Sequence, residues 1–112
     1  MKLRNFTPHE INLYDETGTQ IIETFPSEGN IRMEEKIVDE YTVADGQYKV
    51  VTKKYVPAEL PAMEDDTMII VSLLVAQNCH QEDMLCPDTG INSVVRNDRG
   101  QIIGVRNFQK IN

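Results

Sequence analysis

The chain has 112 residues, a net charge of −7 and a hydrophobic fraction of 40%, which together fit a single globular domain spanning residues 1–112. The negative charge argues against duplex nucleic acid as a partner, because phosphate binding draws on clustered Lys and Arg. No apolar run approaches the length of a membrane span, and no apolar stretch follows the N-terminal Lys2 and Arg4 as in a signal peptide. We therefore expect a cytoplasmic protein with no membrane partner.

The charge is distributed unevenly along the chain. Residues 15–66 carry thirteen acids and five bases, whereas residues 67–112 carry four of each. Three of the four C-terminal bases are arginines, whose forked donors suit phosphate and carboxylate. If the protein binds an anion, these arginines are better candidates than the acidic middle.

Strand patterns dominate the sequence, beginning with short hairpin signals near both ends. Asp15 to Gly18 separates the apolar stretch 11–13 from 21–22, and Asn97 to Gly100 separates 94–95 from 102–105. Both connections fit a type I turn closed by a glycine in the left-handed region. The sequence therefore predicts a hairpin at each place.

The longest predicted element is an antiparallel hairpin over residues 30–56. Odd-numbered positions from Ile31 to Val43 are mostly apolar and even-numbered positions polar, which is typical of a half-buried strand. The turn signal at 44–46 follows, and then a Val- and Tyr-rich second arm. The apolar parity of that arm changes between Val50 and Val51, which predicts a β-bulge there.

The next segments predict a loop, a buried strand and a short helix. Pro57 to Asp66 is rich in proline and acids and suits an exposed loop. Thr67 to Val71 reads as a buried strand, and Ser72 as the N-cap of a helix that begins at Leu73. A continuous strand through this segment is the alternative. Together these patterns predict a mainly β or α+β fold, a compact antiparallel barrel or sandwich of about six or seven strands with one short helix.

The N-terminal segment from Asn5 to His9 is a first candidate for binding. Asn5, Thr7 and His9 are short polar groups on a loop fixed by Pro8, so they could surround a ligand. A turn stabilised by Thr7, with His9 hydrogen-bonded to backbone, is the competing and more frequent arrangement.

A second candidate group would bind an anion. Ser72 and the first amides of its helix could hold a phosphate, although an ordinary N-cap that binds nothing is more frequent. Arg96, Arg99 and Arg106 surround the last turn, and Arg32 lies on the polar side of its strand. Solvated surface charge is the commoner role of such arginines.

The cysteine and histidine residues are weaker evidence for a functional site than the two groups above. Cys79, His80 and Cys86 lack the paired spacing of a zinc site, and no nucleophile motif accompanies them. Buried free thiols are the simpler interpretation. We expect no metal, no cofactor and no catalytic residues, which favours a binding protein over an enzyme.

A family resemblance rests on short motifs spread along the chain. They are Asn5-Phe6-Thr7-Pro8-His9, Pro26-Ser27-Glu28-Gly29, Ile31-Arg32-Met33, Ile70-Val71-Ser72, residues 83–87, and Val95-Arg96 through Gly100, Ile102 and Gly104. The chain resembles small phage and prophage proteins, largely of unknown function, that open with Asn-Leu-Thr-Pro-His and close with Val-Arg, a turn and Gly-x-Ile-x-Gly. The departures are Phe6 for Leu, the additional Glu28, and Val105 where the family often has Cys.

This resemblance implies a binding protein that acts in the host cytoplasm. By analogy with other small phage proteins, it would sequester a small anionic, nucleotide-derived signal of host defence. The polar residues that it favours at a ligand site are Asn5, Thr7, His9, Arg32, Ser72 and Arg96. The alternative is a phage structural or host-protein interaction module acting through its acidic surface, and in either case a homo-oligomer is compatible with the sequence.

Overall fold

The computed structural model describes residues 1–79 and 81–111. Its strands are β1 (Lys2–Asn5), β2 (Ile11–Tyr14), β3 (Ile21–Phe25), β4 (Met33–Val43), β5 (Tyr48–Pro57), β6 (Thr67–Ile70), β7 (Met84–Pro87), β8 (Val94–Arg96), β9 (Ile102–Val105) and β10 (Phe108–Gln109). One helix, α1 (Leu73–Asn78), lies between β6 and β7. The predicted mainly β fold with one short helix is confirmed.

The strands form three sheets with the orders β1-β6-β7-β10, β3-β2-β9-β8 and β4-β5. The sequence left a barrel and a sandwich open; the sheets do not close into a barrel, and the strands of the described residues outnumber the predicted six or seven. The predicted antiparallel pairing is present in part, since β1, β6 and β7 are parallel neighbours and β2 pairs in parallel with β9, whereas the three hairpins and β7–β10 are antiparallel. Parallel strands need a long crossover, and the segment containing α1 supplies it between β6 and β7.

Helix α1 begins as the sequence predicts. The Ser72 side chain accepts a hydrogen bond from the Val75 amide at 3.4 Å, which satisfies one of the free donors of the first turn. Val75 and Ala76 are buried against the first sheet. The core around them consists of Ile31, Ile69, Val71, Val75, Ala76, Cys79, Met84 and Cys86.

The two short hairpins are confirmed as β2–β3 and β8–β9. Gly18 and Gly100 close their turns with φ of 73° and 78°, the left-handed conformation in which glycine avoids a steric penalty. Each turn is further held by an acceptor at its start, Asp15 in the first and Asn97 in the second. Local turn chemistry therefore determines both hairpins.

The long hairpin β4–β5 is also present, but it is not half-buried as predicted. Almost every residue of β4 is exposed, because no further strand or helix covers either face along most of its length. The bulge lies in β4 between Ile37 and Asp39, not at Val50 and Val51. The extra residue, Val38, places Ile37 and Asp39 on opposite faces, and so divides the predicted apolar face in two.

We call the hairpin Met33–Pro57 the arm. It contributes to a radius of gyration of 17.5 Å and to extents of 56 × 39 × 22 Å, whereas a compact chain of this length has a radius of gyration of about 13 Å. The predicted loop after it is confirmed, since residues 58–66 contain no strand or helix.

Candidate functional site

The Asn5 side chain organises the N-terminal loop. It is 1% exposed, and its amide nitrogen donates to the carbonyls of His9 and Phe25, each at 2.9 Å. Its carbonyl oxygen accepts from the Thr7 amide at 2.9 Å and from the Thr7 hydroxyl at 2.7 Å. The polar atoms of Asn5 are thus used inside the fold, as in the structural interpretation of this motif.

The motif Pro26-Ser27-Glu28-Gly29 lies directly against the motif that runs from Asn5 to His9. The Ser27 hydroxyl donates to the Thr7 carbonyl at 2.6 Å, and the Glu28 amide donates to the Asn5 carbonyl at 2.8 Å. The two motifs therefore form one structural unit that joins the ends of β1 and β3. The His9 side chain is exposed beside this unit, while its carbonyl accepts from the Thr7 hydroxyl at 3.0 Å.

Two of the three arginines around the last turn bind backbone carbonyls. Arg96 donates to the Gly100 carbonyl at 2.6 Å within its own turn. Arg106 donates to the carbonyls of Val94 at 2.9 Å and Glu16 at 3.1 Å, and thereby links β8 to the β2–β3 turn. Arg96 lies in the second sheet and Ser72 caps α1, and neither lines the cavity beside Arg32 that is described next.

A cavity of about 380 Å³ lies at the base of the arm. It is bounded by Phe6 and by the stretches 28–32 and 58–61. Arg32 is the one predicted binding residue that lines it, while Phe6 and Leu60 provide its apolar wall and pack against the core. Sequence reasoning missed this cavity, because it forms where the two ends of the arm meet and the Arg32 carbonyl accepts from the Ala58 amide at 3.0 Å.

The charges around the cavity are partly paired. Arg4 bonds Glu28 at 3.0 Å and also bonds Glu64, and its guanidinium lies 5.0 Å from the centre of the Phe6 ring. The hydrogen bond to Glu28, followed by the nearby carboxylates, raises the pKa of Arg4 above its ordinary value. Glu28 is thus offset by Arg4, which leaves Arg32 and Glu59 as the unpaired charges of the lining.

Both cysteines are free thiols in the core beneath α1. Burial raises the pKa of Cys79 and of Cys86, which keeps the thiols protonated and unreactive at neutral pH. Over residues 1–79 and 81–111 no cluster of three or more potential metal ligands occurs. The candidate ligand His80 lies outside the described residues.

No protein-family model matches this chain, and neither a curated protein nor a solved structure gives a match. Within the described part of the chain, no helix has the length and apolar character to cross a membrane. The candidate site therefore depends on the geometry of the cavity and of the arm.

Proposed function

We propose that the protein is a non-enzymatic binding protein that holds a small anionic, nucleotide-derived ligand in the cavity beside Arg32. One observation carries the proposal: Arg32 lines a concave surface, and its guanidinium makes no hydrogen bond or ion pair to another described residue. By contrast, Arg4, Arg96 and Arg106 are all bonded within the fold.

The cavity has the size and lining that such a ligand needs. A volume of about 380 Å³ falls within the usual range for small-molecule sites, in which apolar walls combine with a few polar groups. Phe6 and Leu60 offer apolar surface to a base, and Arg32 offers forked donors to a phosphate. The base and the phosphate of a nucleotide would thus each contact a chemically suitable part of the cavity.

The charge of the cavity restricts the kind of anion. Glu59 lines the same surface as Arg32 and would repel a polyphosphate. The same carboxylate accepts hydrogen bonds from hydroxyl or amino groups. We therefore favour a nucleoside monophosphate or a cyclic nucleotide, which carries less charge than a polyphosphate and has several hydrogen-bond donors.

The lining supports binding more than catalysis. Its described side chains include no serine, cysteine, histidine or lysine that could act as a nucleophile or a base near neutral pH. Together with the absence of a metal-ligand cluster among the described residues, this chemistry suits sequestration of a ligand that leaves unchanged.

The experiment is a thermal-shift and calorimetric screen with nucleoside monophosphates and cyclic mono- and dinucleotides. A ligand at a hundredfold excess over its Kd should raise Tm by roughly 10 °C. Arg32→Ala should weaken its binding at least tenfold, because the phosphate loses its charged donor.

Arg99→Ala is the matched control, since it removes the same charge from an exposed turn away from the cavity. It should leave the affinity unchanged. If none of the nucleotides binds, or if both variants lose binding equally, the proposal is wrong.

A second candidate function is a phage structural or host-protein interaction module that acts through acidic surface. The exposed segment 58–66 favours it, because Glu59, Glu64, Asp65 and Asp66 lie on a stretch without regular structure. Affinity capture from host lysate should then recover one stoichiometric protein, and Asp65→Lys should reduce its recovery. Recovery of that protein at equal yield by the wild type and by Asp65→Lys would argue against this function.

A further inference from the structure

Arg4 lies at the rim of the cavity and contacts two of the side chains that line it. Its guanidinium is 3.0 Å from the Glu28 carboxylate and 5.0 Å from the centre of the Phe6 ring, and both of these residues belong to the lining. Glu28 and Arg32 are four positions apart on the same wall, so their Cα atoms are at most about 14 Å apart. The cavity therefore has a second guanidinium beside the wall that carries Arg32.

The neighbours of Arg4 fix the orientation of its guanidinium. The Phe6 ring packs against the core and lies under the guanidinium as a cation–π partner. A Glu28 carboxylate oxygen accepts from Nε at 3.2 Å and from Nη2 at 3.0 Å, and the Glu28 amide is itself bonded to the Asn5 carbonyl. A ligand that bonds Arg4 would thus have little additional side chain to order.

The other edge of the guanidinium faces an exposed carboxylate. Nη1 donates to Glu64, whose side chain is 46% exposed. The two carboxylates use three of the five N–H donors of Arg4, so Nη1 and Nη2 each keep one donor without a partner among the described residues. Two adjacent nitrogens of this kind suit two oxygens of one phosphate. Because an exposed ion pair contributes little to stability, a phosphate can displace Glu64 at low cost.

We propose that Arg4 is a second phosphate-binding residue of this cavity, and that Glu64 is a built-in competitor whose carboxylate is replaced by the phosphate of the ligand. The inference rests on the proposed function and narrows its ligand. A terminal phosphate carries a charge of about −1.5 to −2 near pH 7 and three free oxygens, which suit two guanidinium groups. A cyclic phosphodiester has less charge and fewer free oxygens. The nucleoside monophosphate is therefore favoured over the cyclic nucleotide.

Displacement of this carboxylate would not release the segment 58–66 from the fold. At its start the Ala58 amide donates a backbone hydrogen bond at 3.0 Å, and Leu60 packs against the core. At its end the Asp66 carbonyl accepts from the Lys2 amide at 2.8 Å. The segment can thus give up its ion pair with Arg4 while the wall of the cavity that it forms stays in place.

Ligand-observed NMR titration, which covers millimolar Kd values, tests the role of Arg4. The probes are the 5′-monophosphates of adenosine, guanosine, cytidine and uridine, each with its parent nucleoside, which lacks only the phosphate. Arg4→Gln should weaken binding of the tightest monophosphate at least fivefold and change binding of its nucleoside less than twofold. Arg99→Gln removes the same charge from an exposed turn and should change neither.

Glu64→Gln tests the competitor directly, because it keeps the size of the side chain and removes its charge. The affinity for the monophosphate should rise at least threefold, whereas an ion pair with a purely structural role would give no gain. Glu23→Gln is the matched control, since Glu23 is exposed on β3 and forms no ion pair with a described residue. It should change the affinity less than twofold.

The choice of ligand is tested with the 3′,5′-cyclic form of the same nucleotide. The wild type should bind the monophosphate at least fivefold more tightly, and Arg4→Gln should at least halve this preference. Thermal unfolding must show that each variant folds. If Arg4→Gln does not, the comparison of Glu64→Gln with Glu23→Gln decides alone.

The outcomes distinguish this inference from the proposed function. If neither monophosphates nor cyclic nucleotides bind, both are wrong. If Arg32→Ala removes monophosphate binding while Arg4→Gln leaves it within twofold, or if only cyclic nucleotides bind, the inference alone is wrong. It is also overturned if Arg4→Gln weakens nucleoside and monophosphate equally, or if Glu64→Gln gives no gain over Glu23→Gln.

Discussion

At the scale of single residues, Gly104 shows how one position can hold two hairpins together. A Cβ atom there would lie 2.5 Å from the Asn12 carbonyl oxygen and 2.5 Å from the Tyr14 ring. Both are too close for any real contact, and one is backbone. The glycine therefore allows β9 to lie against β2, with the ring of Tyr14 over the space that a side chain would occupy.

We expect Gly104→Ala to lower the free energy of unfolding by about 2 kcal/mol, since overpacking of this kind costs 1–3 kcal/mol. Urea unfolding followed by circular dichroism measures the change. Gly90→Ala is the control, because its Cβ would meet only the flexible Asp88 side chain at 3.1 Å. An equal effect of both substitutions would contradict the packing role of Gly104.

The closing Gly-x-Ile-x-Gly motif could be explained only in part from the sequence. Gly100 was predictable, because it completes a turn whose other residues are its neighbours. Gly104 was not, because its partner Asn12 is remote in the sequence and the two strands pair in parallel. The same holds for Arg106, a candidate for anion binding in the sequence, which donates to carbonyls of two separate hairpins.

At the scale of elements, the Asn5 side chain joins β1 to β3 and fixes the loop between β1 and β2. Asn5→Asp keeps its shape but replaces the donor that faces the carbonyls of His9 and Phe25 by an acceptor. We expect a loss of about 3 kcal/mol at pH 7, because a buried carboxylate oxygen then faces carbonyl oxygens. Denaturant unfolding of the variant and the wild type measures it.

The loss should be smaller at pH 4 than at pH 7, relative to the wild type at the same pH. Burial raises the pKa of such a carboxyl, and the protonated form can donate one hydrogen bond. A group whose folded pKa is raised loses stability as pH rises through that pKa. Asn92→Asp, at an exposed position, should have little effect, and a pH-independent loss in Asn5→Asp would contradict this explanation.

Predicting the elements from the sequence succeeded where the determining residues are local. The turns at 15–18 and 97–100 and the Ser72 cap each depend on side chains within a few positions. The bulge in β4 could not be located from the sequence. Ile37, Tyr41 and Val43 alternate with polar residues as if they shared one continuous face, and the sequence does not reveal that no further layer covers that face. The cavity could not be predicted either, since its walls come from segments about thirty residues apart.

At the scale of the whole molecule, the arm and the remaining fold are separable in their packing. The buried core cluster contains no residue between positions 37 and 53, and its strand and helix members come from β6, α1 and β7. Strand order could not be predicted from the sequence, because the parallel neighbours β1 and β6 are separated by a long stretch of chain in which no residue pattern indicates their pairing. The arm therefore extends from a fold whose stability depends on other parts of the chain.

Shortening the arm tests this separation. Residues 37–53 are replaced by Asn-Gly, a two-residue hairpin turn that connects the opposite residues Lys36 and Lys54. The variant should keep a cooperative transition with Tm within a few degrees of the wild type, because the core cluster is intact. Small-angle scattering of dilute monomer should give a radius of gyration below the 17.5 Å of the full chain, nearer the about 13 Å of a compact one. A variant that no longer unfolds cooperatively would show that the arm is required for the core, and the two parts would then form a single folding unit.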